Sequence, residues 1–139
     1  MSFLLDTNVV SEWMKPSPNP GLAGWLAEID EDRVFLSVVT LTELRYGIDR
    51  MAAGRRRKRL NEWLQDELPA RFAGRIVPID RAVADACGKL VVRSEAAGRP
   101  IEAMDAYLAA TAEVHQLTLV TRNAPHFQPV LRAILNPWT

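Results

Sequence analysis

Apolar residues along the chain fall into short solid runs separated by longer stretches in which they recur every third or fourth position. Residues 1–5 read as a short apolar strand closed by a carboxylate, Asp6. Asp6-Thr7-Asn8 then predicts a helix start, because short polar side chains satisfy backbone N–H groups that a first turn leaves unpaired. Val9, Val10, Trp13 and Met14 supply its apolar side. Residues 16–21, with three prolines and a glycine, cannot continue a helix and predict a surface loop. Leu22, Trp25, Leu26 and Ile29 return to helical spacing, and Val34-Phe35-Leu36-Ser37 follows as a buried strand.

Leu41, Leu44, Ile48 and Met51 form the next helical stripe, which leaves Glu43 off the apolar face. Residues 55–59 open another helix, with Leu60, Trp63, Leu64 and Leu68 as its apolar side, and Pro69 marks an end near Phe72. Ile76-Val77-Pro78-Ile79 predicts a third strand. Asp80 then caps a helix over about residues 82–97, with Val83, Cys87, Leu90 and Val91 facing inward and Gly98 as its stop. A helix over about residues 104–115 leads into a fourth strand at 117–120, a polar turn at Thr121-Arg122-Asn123 and a short tail ending at Trp138-Thr139. No segment repeats. Short strands alternating with helices predict an α/β fold in which a mostly parallel sheet is covered on both faces, in one domain over residues 1–139.

Composition narrows the class. With 48% hydrophobic and 24% charged residues the chain is neither disordered nor of low complexity. The single cysteine, Cys87, cannot form an internal disulfide and reads as core filling. No apolar run approaches the roughly 20 residues of a membrane span, and no basic leader precedes Phe3-Leu4-Leu5, so a cytoplasmic protein is expected. Basic and acidic residues number 17 each, which excludes a polycationic surface and leaves room for a local basic rim around an acidic pocket.

Candidate chemistry sits where strands end. Parallel sheets bind ligands outside the carboxyl ends of their strands. Asp6 ends the first strand, Glu43 follows the second, Asn123 follows the fourth, and Asp105 lies in the first turn of the helix before it. These residues are too far apart in sequence for any local rationale. Oxygen ligands without a Cys or His cluster favour Mg²⁺ or Mn²⁺ over zinc. A cation also relieves the repulsion between carboxylates and favours attack of water on a phosphodiester. Gly47 and Ala103, Ala106, Ala109 and Ala110 either let a polymer backbone approach this pocket or let helices pack closely.

The ordered blocks Leu4-Leu5-Asp6-Thr7-Asn8-Val9-Val10, Thr42-Glu43-Leu44-Arg45-Tyr46-Gly47, residues 102–112, Leu119-Val120-Thr121-Arg122-Asn123, Phe127 and Asn136-Pro137-Trp138 together resemble a PIN-domain ribonuclease of the VapC type. Proteins of that type are the toxins of type II toxin–antitoxin pairs. The resemblance implies a three-layer α/β/α sandwich and a divalent-metal-dependent endoribonuclease that cuts structured RNA, such as transfer or ribosomal RNA. It also implies a homodimer and inhibition by a cognate antitoxin that pushes an arginine into the acidic pocket. Position by position, Asp6, Glu43 and Asp105 would form the metal site, Glu43 acting directly or through water, with Thr7, Asn8, Thr121 and Asn123 in support. Family members commonly carry a fourth acid after the last strand. Here Asn123 or His126 occupies that place, and neither is negative at neutral pH, which favours one bound ion over two.

Other readings attach to the remaining residues. The run at 55–59 reads as a solvated helix face. The sharper reading has Arg55, Arg56, Arg57 and Lys58 contacting phosphates together with Arg45, Arg50 and Arg122. His115 and His126 read as structural or surface residues, and Trp13, Trp25 and Trp63 as helix packing. Two alternatives to a nuclease are a non-catalytic PIN-fold module held with its antitoxin on DNA, and a phosphotransfer domain with Asp6 as covalent acceptor. The second lacks the extra Asp and the late lysine its common pattern needs.

Overall fold

The computed structural model describes residues 1–139. Five short strands form one sheet: β1 (Phe3–Leu5), β2 (Val34–Ser37), β3 (Ile76–Val77), β4 (Thr118–Val120) and β5 (Ile134–Leu135). Their spatial order is β3-β2-β1-β4-β5 and every pairing is parallel. Phe3 lies opposite Val34 on one side and Thr118 on the other, so β1 occupies the centre. The helices are α1 (Thr7–Trp13), α2 (Pro20–Glu28), α3 (Val38–Asp49), α4 (Arg55–Glu62), α5 (Leu68–Arg71), α6 (Arg81–Ala96), α7 (Ala103–Val114) and α8 (Ala124–Phe127).

Strand alternation makes the layers. Phe3, Leu5, Val34, Leu36 and Val120 point into a core shared with Val9, Val10, Leu22, Leu44, Ile48, Leu64 and Phe72 from α1 to α5 and the turn beyond α5. Leu4 and Leu119 point the other way, into a core with Val83, Cys87 and Leu90 of α6 and Leu108, Ala109 and Ala112 of α7. Both faces of a covered parallel sheet are dry, which is why these strands read as unbroken apolar runs rather than as alternating ones. The three-layer α/β/α sandwich is therefore the observed architecture. Trp25 meets Phe3 edge-on at 5.1 Å and Trp13 meets Phe72 edge-on at 6.4 Å, so both serve packing.

Five local features differ from the sequence reading. α2 already begins at Pro20, inside the expected 16–21 loop, because Asn19 caps it and proline suits a first helical position. The sheet has a fifth strand, β5, and a short helix, α8, precedes it. The helix expected from residue 55 to 72 is interrupted over Trp63–Glu67 by a π-helical turn, in which the Leu68 N–H bonds the Trp63 carbonyl. Pro69 has no N–H to give, and its ring would crowd the carbonyl four residues back, so the widened turn relieves the conflict locally. The third strand stops at Val77, before Pro78.

The chain's last residues close onto the start of α2. Asn19 accepts from the Thr139 amide at 3.1 Å and its own amide donates to the Thr139 carbonyl at 3.0 Å. A Cβ on Gly21 would run into the Pro137 carbonyl and the Thr139 methyl group. Gly21→Ala should therefore lower stability by about 1–3 kcal/mol through overpacking, measured by denaturant unfolding. Unchanged stability would show that the 136–139 tail moves aside freely.

Candidate functional site

The order of the strands reverses at β1: β2 and β3 lie to one side, β4 and β5 to the other. Ligand sites of open parallel sheets form at such a reversal, outside the carboxyl ends of the strands, here those of β1 and β4. Asp6 stands there directly after β1 and caps α1, its Oδ1 accepting from the Thr7 amide at 2.7 Å. Its backbone N–H donates to the Val120 carbonyl at 2.9 Å, which locks it against β4. Thr121 follows β4 and is fully buried. Its hydroxyl accepts from the Asn123 amide at 3.0 Å, leaving its own proton to donate to Asp6 Oδ2 at 2.8 Å. Asn8 donates to the same oxygen at 3.3 Å and accepts from the Arg122 amide at 3.4 Å.

The other two carboxylates arrive from helices on opposite faces. Ser37 caps α3 immediately after β2, its hydroxyl accepting from the Val39 amide, so α3 starts at the sheet's carboxyl edge with no loop between. Glu43 lies in the second turn, and the Thr7 hydroxyl donates to its Oε1 at 2.5 Å, while Thr40 sits 3.2 Å from that hydroxyl. α7 runs back across the other face towards β4, which puts its first turn, and Asp105, at the same edge. His126 of α8 reaches Asp105, with Nε2 2.9 Å from Oδ2. Spacing alone gives no sign of this contact, since the two residues are 21 apart, although the resemblance offers His126 or Asn123 for the place of a fourth acid.

The charges of the other two acids act on Asp6. Burial, first, pushes the Asp6 carboxyl from 3.8 up to about 6. The bonds from Thr121 and the Thr7 amide oppose the rise, and the charges of Asp105 and Glu43 add to it. Glu12, nearly two turns further along α1, is not part of this group. A bond from Lys15, another from the Asn19 amide and the nearby Arg122 charge hold it below the usual glutamate range. Thr121→Val removes the strongest bond to ionised Asp6 and strands the Asn123 amide. The Asp6 midpoint should climb above about 6, read by carbon NMR of the carboxyl, with a stability loss of about 1–3 kcal/mol. A midpoint that stays put would mean that Thr121 does not set the charge of Asp6.

Asn123 meets this cluster through its backbone. Its side chain is exposed and makes no hydrogen bond, while its carbonyl accepts from the His126 amide at 3.0 Å. The small residues divide. Ala106, Ala109 and Ala110 are buried in helix packing, whereas a Cβ on Gly47 would meet nothing within 4 Å. Gly47 thus leaves the α3 face beside Glu43 open, since residues four apart share a helix face.

The basic residues split likewise. Arg45 is engaged by Asp49 at 3.1 Å and Asn61 at 2.6 Å, tying α3 to α4. Arg50 stacks on the exposed Tyr46 ring at 5.1 Å. Arg55, Arg56 and Lys58 are exposed and unpaired, Arg57 is half-buried, and Arg57 and Lys58 border a shallow 340 Å³ cavity with Asp49 and Asn61. Arg122 is exposed next to Thr121. The larger cavity, about 700 Å³ between the end of α7 and residues 128–133, lies at the opposite end of β4 from Asp6 and contains none of these groups.

Whether the pocket suits a divalent ion depends on its donors. No three acidic, imidazole or thiol groups stand together so that they could hold a metal ion between them. Mg²⁺ does not require three, because it keeps several waters and takes one or two carboxylates. Asp6 and Asp105, close enough for the charge of one to act on the other, with Glu43 beside them, fit an ion of that kind.

Comparison with known proteins places the fold and the family. The PIN domain family matches residues 3–128. Toxin FitB of Neisseria gonorrhoeae (strain ATCC 700825 / FA 1090) is 39% identical over 135 residues, covering 97% of each chain. A VapC ribonuclease of Sinorhizobium fredii (strain NBRC 101917 / NGR234) is 34% identical over 97% of this chain and 96% of its own. Among solved structures, FitAB bound to a DNA fragment superposes with a TM-score of 0.92 at 36% identity, covering 99% of this chain and 96% of that one. FitAcB from Neisseria gonorrhoeae gives 0.91 at 39% identity over 98% of both.

Proposed function

Because the chain belongs to the PIN-domain family, we propose that it is the endoribonuclease toxin of a toxin–antitoxin pair, hydrolysing phosphodiester bonds of structured RNA with Mg²⁺ or Mn²⁺ held by Asp6 and Asp105. The observation that carries the reading is the buried Asp6, fixed between Thr121, Asn8 and the Thr7 amide, with the charges of Asp105 and Glu43 acting on it. The VapC ribonuclease and FitB toxin relatives, similar over almost the whole chain, support it.

When bound, the ion supplies relief of the carboxylate repulsion and Lewis acidity at the phosphodiester. The chain supplies position. Thr121 and the Thr7 amide favour the ionised form of Asp6, which burial opposes. Thr7 occupies one oxygen of Glu43 and leaves the other free to hold the attacking water. Arg122 on one side, and Arg55, Arg56 and Lys58 on α4, give exposed cations for the RNA phosphates. The FitAB and VapBC complexes among its structural neighbours support a cognate antitoxin as partner. An antitoxin arginine entering the pocket would pair bidentately with these carboxylates and compete with the ion.

A second reading, a binding module without turnover, is favoured by one observation: no three of the acids stand together to hold an ion. One assay separates the two. Purified protein should cleave structured RNA when Mg²⁺ or Mn²⁺ is present and stop on adding a chelator. Tight RNA binding with no metal-dependent cleavage would transfer the conclusion to the binding module.

A further inference from the structure

The solvent side of α3 carries a stripe that runs out from the acidic pocket. Glu43, Tyr46, Gly47 and Arg50 follow one another at steps of three or four residues along one side of the helix. Tyr46 stands about 4.5 Å beyond Glu43 along the axis, and Arg50 about 10.5 Å beyond it. The Tyr46 ring is 63% exposed, and no other phenylalanine, tryptophan or tyrosine of the chain is exposed. Arg50 lies over one face of the ring at 5.1 Å, donates to Tyr46 Oη at 3.1 Å and pairs with no carboxylate. These contacts fix the plane of the ring and leave its other face in water. Gly47 adds no bulk beside it, since a Cβ there would meet nothing within 4 Å. The far end of the stripe adjoins the shallow cavity that Arg57 and Lys58 border with Asp49.

We propose that Tyr46, backed by Arg50, is the platform on which an unpaired RNA base stacks beside the bond to be cut, so that cleavage falls in the single-stranded loops of a folded RNA and not in its stems. The inference rests on the reading of the chain as a ribonuclease and adds which part of the RNA enters the pocket. A base inside a duplex is covered on both faces by its neighbours, whereas a loop base can be splayed out and laid on an aromatic ring. A ring one helical turn from Glu43 is placed to hold a nucleotide adjoining the phosphate at the acids. The guanidinium of Arg50 keeps its charge against the ring and remains free to meet a phosphate of the same strand. The character of the occupant follows from the stripe. Arg50, then Arg57 and Lys58, call for a polyanion that also carries flat rings, which describes a nucleic-acid strand and not an apolar protein surface. The other large apolar side chains left exposed, Met1, Met14, Ile79, Val92 and Met104, have no ring to offer.

Binding of two RNAs to the full chain provides the test: a hairpin with a single-stranded loop and a blunt duplex of equal length, followed by fluorescence anisotropy in chelator so that neither is cut. Tyr46→Ala should weaken the hairpin at least about tenfold and the duplex by less than about threefold, with the salt dependence of hairpin binding unchanged, because no phosphate contact is lost. Tyr46→Phe, which keeps the ring, should stay within about threefold of wild type. Hairpins lacking one loop base at a time locate the contact: the abasic position that costs wild type about tenfold should cost Tyr46→Ala little. Equal losses on hairpin and duplex in Tyr46→Ala, or no loss on either, overturn the proposal. So does a Tyr46→Ala chain that is monomeric by light scattering where wild type is dimeric, since the ring then belongs to a contact between copies. In each of these cases metal-dependent cleavage by wild-type protein leaves the ribonuclease reading standing. Wild-type protein that binds neither RNA overturns the platform, and if it also cuts neither with Mg²⁺ or Mn²⁺, the ribonuclease reading falls with it. Tyr46 is exposed, so its replacement does not threaten folding, and circular dichroism checks this.

Discussion

Asp6→Asn should reduce RNA hydrolysis by at least about a thousandfold, roughly 4 kcal/mol at the transition state, while making the fold relatively more stable at neutral pH than in acid. The two effects share a cause. Burial holds the folded-state carboxyl near 6, against 3.8 for the ordinary group. The unfolded chain therefore loses this proton first as pH rises, and the folded state is penalised once pH passes about 4. The penalty is absent below 3.8, grows between 3.8 and 6, and is full above 6. It amounts to about 3 kcal/mol at about 1.4 kcal/mol per pH unit. Asparagine does not titrate, so the stability of the variant relative to wild type should improve by about that amount between pH 4 and pH 7.5. Carboxylates that do not act on Asp6 cancel in this difference, and Asp105 and Glu43, whose charges do, add a smaller contribution. Asparagine is also a good helix cap, so α1 keeps its start, although its amide nitrogen now faces the donors Thr121 and Asn8. Denaturant unfolding at both pH values measures the difference. A gap between the two proteins that does not move with pH would mean that Asp6 carries no such penalty.

The sheet was readable because its central strands carry their own signals. β2 is legible to the residue, since Val34-Phe35-Leu36 is apolar on both faces and Ser37 is a cap that ends it. β1 ends at Asp6 for the same reason. β5 carries no such mark: two residues after Arg132-Ala133 show no pattern, and Ile134 and Leu135 become a strand because β4 offers an unpaired edge. The π-turn before Pro69 was likewise invisible, because a helix can answer a proline by kinking, ending or widening, and packing of Leu64 and Leu68 in the core chooses among these.

For the site, the residues at strand ends were legible and the contacts between layers were not. Thr7, Asn8 and Thr121 sit beside Asp6 because parallel β1 and β4 are neighbours, a consequence of strand order that an α/β pattern allows. Arg45 looked like a rim cation on composition alone, but its partners Asp49 and Asn61 turn it inward to brace α4. His126 reads in sequence as a structural or surface residue, or as the occupant, with Asn123, of the place of a fourth acid. Only the closure of α8, set by Phe127 in the core, aims it at Asp105.

Replacing Asp105 with asparagine tests whether the acids act as one pocket. The cleavage rate should fall by about a thousandfold or more, and the Asp6,Asp105 double variant should be no slower than either single one, as expected for residues that act as a unit. The Asp6 titration supplies an independent readout in the apo protein. The charge of Asp105 is among the causes that raise it, ahead of that of Glu43. Removing it should lower the Asp6 midpoint from about 6 towards, though not to, 3.8, because burial remains the larger cause. Glu43→Gln should lower it by less. Carbon NMR of the Asp6 carboxyl across pH 3 to 8 reads all three proteins. A midpoint indifferent to Asp105 would place the two carboxylates too far apart to share an ion, and the loss of cleavage would then need another explanation.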